Sequence, residues 1–158
     1  MRTWITRAAT PVVAASAIVA LTAAPAAQAS ADKPTVLSTV MTGAAEVPGP
    51  GDPDGRGVFV AVVKGDKLCY VIAANRIEAP IAAHIHVGAP NVAGPIVVGL
   101  QPPNRAAADC ILTVPDAENS TETLTESELA AIVATPSNYY VNVHTPLFPA
   151  GAIRGQLH

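Results

Sequence analysis

The chain has 158 residues, enough for one domain, and a formal net charge of −3. With 50% hydrophobic and 13% charged residues it is no disordered acidic chain, and its 9 Lys and Arg form no cluster of the kind that nucleic-acid phosphates demand. Two cysteines are too few for a CxxC-type zinc framework.

Much of the apolar excess stands at the front. Arg2 and Arg7 precede an uncharged run rich in Ala and Val over 8–24; Pro25 and the small-x-small triplet Ala27-Gln28-Ala29 follow. A positive n-region, an apolar h-region and such a triplet are the parts of a secretory signal peptide, so residues 1–29 are expected to be removed on export and 30–158 to form the working domain; an uncleaved membrane anchor is the alternative, against which Pro25 and the weak hydrophobicity of Ala speak. No later stretch reaches the ~18 apolar residues of a membrane helix, so no span is expected after cleavage. Export places Cys69 and Cys110 in an oxidising compartment, where an even pair is most simply a disulfide; two separate buried thiols are the alternative.

A strand is expected over 36–42. Residues 44–57 carry Pro48, Gly49, Pro50, Gly51, Pro53 and Gly55 and read as a loop. The runs 58–64 and 67–73 are β-rich and joined at Gly65-Asp66, a hairpin signal. Further strands are expected over 82–87, 95–100 and 110–114, with a turn-rich loop over 88–94. Thr125 and Glu128 have capping-box spacing; Leu129, Ile132 and Val133 then share a helical face, and Pro136 stops the element. Two last strands, 139–144 and 152–158, are joined by 145–151. Many short strands with one short helix predict an all-β fold: a Greek-key-like antiparallel β-sandwich or barrel.

Strand parity concentrates the chemistry. If Val141 and Val143 face the core, then Tyr140, Asn142 and His144 take the opposite face. In 82–87, Ala83, Ile85 and Val87 face in and His84 and His86 face out. In the closing strand, Ile153 and Leu157 face in and Arg154, Gln156 and His158 face out. If these strands are neighbours, one sheet face collects His84, His86, His144, Asn142 and Arg154. Two imidazoles two residues apart on a strand stand about 6–7 Å apart on one side, and a third from another strand would complete a three-His site suited to copper or zinc. The competing reading is a polar face of histidines that fix loops over the sheet. His158, last in the sequence, is expected to fray rather than ligate. Arg154 has two readings: attracting an anion to the site, or pairing with Glu46 or Asp109. Asp52-Pro53-Asp54-Gly55 has the look of a calcium-loop start, but the twelfth position is Val63, so a turn is expected. No G-x-S-x-G, Walker or dinucleotide-glycine pattern occurs.

The blocks Thr42-Gly43-Ala44-Ala45-Glu46-Val47-Pro48, Ala83-His84-Ile85-His86-Val87-Gly88 and Gly94-Pro95-Ile96-Val97, with the closing Tyr139-Tyr140-Val141-Asn142-Val143-His144-Thr145 and Phe148-Pro149-Ala150-Gly151-Ala152-Ile153-Arg154-Gly155-Gln156-Leu157, resemble the CHRD (chordin-type) domain from about Val36 to Leu157. The chain looks like a secreted bacterial single-domain member. Ala152 departs from the pattern, where an acidic residue is common. The resemblance implies an exported, all-β module with no known reaction. The cysteine-rich modules associated with growth-factor contacts in chordin are absent, so morphogen inhibition does not carry over. The first functional expectation is therefore an extracellular binding or structural module with an unidentified ligand or protein partner, and not an enzyme. The second is a mononuclear copper or zinc protein with redox activity, which is similar at fold level to copper/zinc superoxide dismutases but lacks their bridging His and zinc cluster.

Overall fold

The structure, a computed structural model, describes residues 33–158. The expected signal peptide and its cleavage point lie outside the described residues. Among the described residues the strands are β1 (Thr35–Thr42), β2 (Arg56–Lys64), β3 (Lys67–Asn75), β4 (Ala82–Val87), β5 (Ile96–Leu100), β6 (Ala106–Val114), β7 (Leu124–Thr125), β8 (Tyr139–His144) and β9 (Ile153–Gln156), with one α-helix, α1 (Glu126–Ala134). They form one nine-stranded sheet in the order β5-β4-β8-β9-β1-β2-β3-β6-β7. The sheet wraps into a nearly closed barrel around a single core, and the fold is all-β. The expected antiparallel pattern holds for every pairing but the last: β7 lies parallel to β6.

Local sequence explains the elements. β2 alternates strictly, with Phe59, Ala61 and Val63 buried and Val58, Val60 and Val62 exposed. Gly65, at φ 59°, makes the tight turn into β3, with Lys64 opposite Lys67. β6 begins at Ala106, earlier than expected. Three alanines carry little strand preference of their own; pairing with Val71, Ile72 and Ala73 of β3 recruits them. Cys69 stands directly opposite Cys110 in this ladder, and the two form a disulfide. Thr125 caps α1 as expected: its Oγ1 accepts from the Glu128 N–H while the Glu128 carboxylate accepts from the Thr125 N–H. Leu129 and Ile132 enter the core. Asp52 Oδ1 accepts from the N–H groups of Asp54 and Gly55, which makes the expected turn.

The topology builds the site. The β8–β9 hairpin inserts between β4 and β1, so β4, β8 and β9 are adjacent. Val87, expected inside, stands at the end of β4 and is exposed. His158, expected to fray, is held by Ser38 through a pair of backbone hydrogen bonds of 3.0 and 3.2 Å, and its Nε2 lies 3.2 Å from Ser38 Oγ. Pairing with β1 extends the sheet beyond the last residue of β9.

Candidate metal centre

Register places the polar side chains. His84 faces Asn142, which faces Arg154; His86 faces Tyr140, which faces Gln156; His144 stands opposite Ala82. Ala83, Ile85, Val141, Val143 and Ile153 fill the core from the other side of the same strands. The parity reading is therefore right about which residues share a face. It is wrong that this face is open. His86, Asn142 and Arg154 are buried, because the segments 88–95 and 145–151 fold over it.

Those segments are pinned by the site residues themselves. His86 Nδ1 lies 2.9 Å from the Gly94 carbonyl and His144 Nδ1 lies 3.0 Å from the Pro149 carbonyl. A carbonyl only accepts, so both Nδ1 atoms carry the proton and both Nε2 atoms present lone pairs. Gly94 makes the first contact feasible: a Cβ there would strike the Val87 carbonyl. His84 Nδ1 lies 3.1 Å from His144 Nε2, which has only a lone pair to offer, so His84 donates. His86 Nε2 is buried with no hydrogen-bond partner within 3.5 Å, although the Asn142 amide stands near enough to act on both His86 and His84.

The ligand nitrogens of His84, His86 and His144 lie within 4.8 Å of one another. In a tetrahedral shell with bonds of about 2.0–2.1 Å, nitrogens stand about 3.3 Å apart, so the three would have to draw together by up to about 1.5 Å to share one ion. Electrostatics already favour neutral rings. Burial, then the neighbouring His144 and His86, pulls His84 down to about 4; burial also lowers His86 and His144. Metal binding at neutral pH therefore has almost no protonated imidazole to displace. Carbonyl partners on Nδ1 fix ring orientation as outer-shell groups do around bound metals.

Arg154 fits neither expected reading fully. Its two terminal nitrogens donate to the carbonyls of Val92 and Ala89, and the second also to Gln156 Oε1. Its guanidinium lies 3.4 Å from the Tyr140 ring centroid, and Tyr140 in turn stacks on His86 at 4.7 Å. Glu46 acts on Arg154 through its field, while Asp109 lies on β6 and accepts from the Cys110 N–H. Asn142 is buried with an unpartnered Oδ1. The Cys69–Cys110 disulfide lies on β3 and β6, away from β4 and β8 in the sheet order. Sequence reasoning set Tyr140 on the right face but gave it no role; aromatic alternation with His86 across a strand pair was the available signal. Nothing local marked the carbonyls of Gly94 and Pro149, since any residue offers one.

No curated protein and no solved structure matches the chain. A family model described as CHRD domain matches residues 37–157, from the first strand through the residue after the last. The chain belongs to the CHRD domain family.

Proposed function

We propose that the protein is an exported CHRD module whose ligand is a transition-metal ion, copper or zinc, held by His84, His86 and His144. The observation that carries this is the orphaned Nε2 of buried His86, turned with the other two imidazoles into one shared space. A buried acceptor without a partner costs about 1–3 kcal/mol, and a cation removes that cost. Three imidazoles without a thiolate or carboxylate suit both metals. Export is supported by the signal-peptide pattern over 1–29 and by the disulfide. Arg154 supports the site by holding 88–95 over it.

The test is elemental analysis of the exported, untagged protein after loading with copper or zinc and removal of excess. One metal per chain is expected, with at least tenfold weaker retention by His86→Ala. Equal stoichiometry in the two proteins removes His86 from the site, and a wild type that retains neither metal overturns the reading. Superoxide turnover by the copper-loaded protein would replace a binding module by a redox enzyme.

A further inference from the structure

We infer that the metal has a fourth protein ligand, the side-chain oxygen of Asn142. This rests on the three-histidine reading and extends it. Among the described residues, no carboxylate or thiol joins His84, His86 and His144. The position they leave is covered by a neutral amide.

The sheet geometry selects Asn142. It is directly opposite His84, two residues from His144 on the same strand face, and diagonal to His86, so it adjoins all three ligands. Its side chain is 2% exposed, and its Oδ1 has no hydrogen-bond partner. Two buried orphans thus lie on one small patch of sheet: a nitrogen acceptor on His86 and an oxygen acceptor on Asn142. The polar groups around them are acceptors too, because the protons of His86 and His144 are committed to Gly94 and Pro149. His84 spends its Nδ1 proton on His144, so the two unpartnered acceptors share one patch, and one ion would satisfy both orphans. An amide oxygen alongside three imidazoles gives a neutral N3O set within reach of a tetrahedral centre.

Cobalt(II) reports the coordination number. The exported wild type loaded with cobalt(II) is expected to show the intense visible bands of a four-coordinate centre. Asn142→Ala should weaken cobalt and zinc binding at least tenfold and shift those bands as water replaces the amide. Asn142→Asp, nearly isosteric and anionic, should bind both ions at least tenfold more tightly and also shift the bands. An alanine variant with wild-type affinity and spectrum overturns the proposal and leaves the three-histidine site standing. So does an aspartate variant with an unchanged spectrum, the outcome expected if the amide only donates to His86 from Nδ2. A wild type that binds no cobalt, zinc or copper removes the three-histidine reading itself.

Discussion

Glu46 is where burial and charge oppose each other most directly. Its side chain is buried, its Oε1 has no partner, and its carboxyl lies against Gly151, where a Cβ would collide with it. Gly151 has φ 145°, so glycine is needed there for both conformation and space. Burial raises Glu46 from 4.5 to about 7, against the opposing pull of Arg154 and the Val47 N–H. A carboxyl with a raised folded-state value binds its proton more tightly when folded. Its contribution to stability is therefore greatest below about 4.5, falls as pH rises, and is least above about 7. The full span is of order 3 kcal/mol. The three histidines act in the opposite sense: their lowered values make acid destabilising below the ordinary imidazole range. Glu46→Gln isolates the carboxyl. In metal-free protein, the urea-unfolding free energy of wild type relative to this variant should decline by roughly 2–3 kcal/mol between pH 4.5 and pH 8. A constant difference across that range would mean that Glu46 titrates as an ordinary carboxyl.

At the scale of elements, short-range chemistry was well written in the sequence. The helix is an example: Thr125 and Glu128 make both hydrogen bonds of the capping box, and Thr125 Oγ1 itself lies 3.0 Å from the Glu128 carboxylate. α1 has only nine residues and depends on its cap and on Leu129 and Ile132 for its place. Thr125→Ala should cost about 1–2 kcal/mol, read as a lower urea midpoint with an unchanged slope. A loss below about 0.3 kcal/mol would show that the two buried side chains hold the helix without it. Strand parity was equally legible, since alternation in 82–87 and 139–144 fixes which side chains travel together. Whether the shared face meets water was not. Gly88, Ala89, Val92 and Gly94 supply carbonyls to Gln156, Arg154 and His86, and backbone carbonyls leave no trace in residue type. The same limit applies to β2, where Val58, Val60 and Val62 are as apolar as the buried positions between them yet face outward.

For the whole molecule, the decisive contacts join distant parts of the chain. β4 meets β8, β9 meets β1, and β3 meets β6, none of which is a hairpin. Sequence supplied strands and parity; the adjacency of His84 and His144 remained a condition, because strand order depends on how one core closes. The disulfide belongs to this scale. It joins residues 41 apart and locks β6 onto β3, across the part of the chain that builds β4 and β5. Chain entropy values a loop of this size at about 4 kcal/mol of destabilised unfolded state. The β3–β6 ladder supplies backbone hydrogen bonds in the folded state, but it does not restrict the unfolded chain, so the two contributions are separate. Replacing both Cys69 and Cys110 by Ala should therefore lower the unfolding free energy by about 2–4 kcal/mol while leaving the metal stoichiometry of the folded protein unchanged, because β4 and β8 pair with neither β3 nor β6. Urea titration paired with elemental analysis reads both quantities. A loss under about 1 kcal/mol would show that residual structure already holds these segments together in the unfolded chain. A lost metal with an intact fold would show instead that the distant bridge sets the geometry of the histidines.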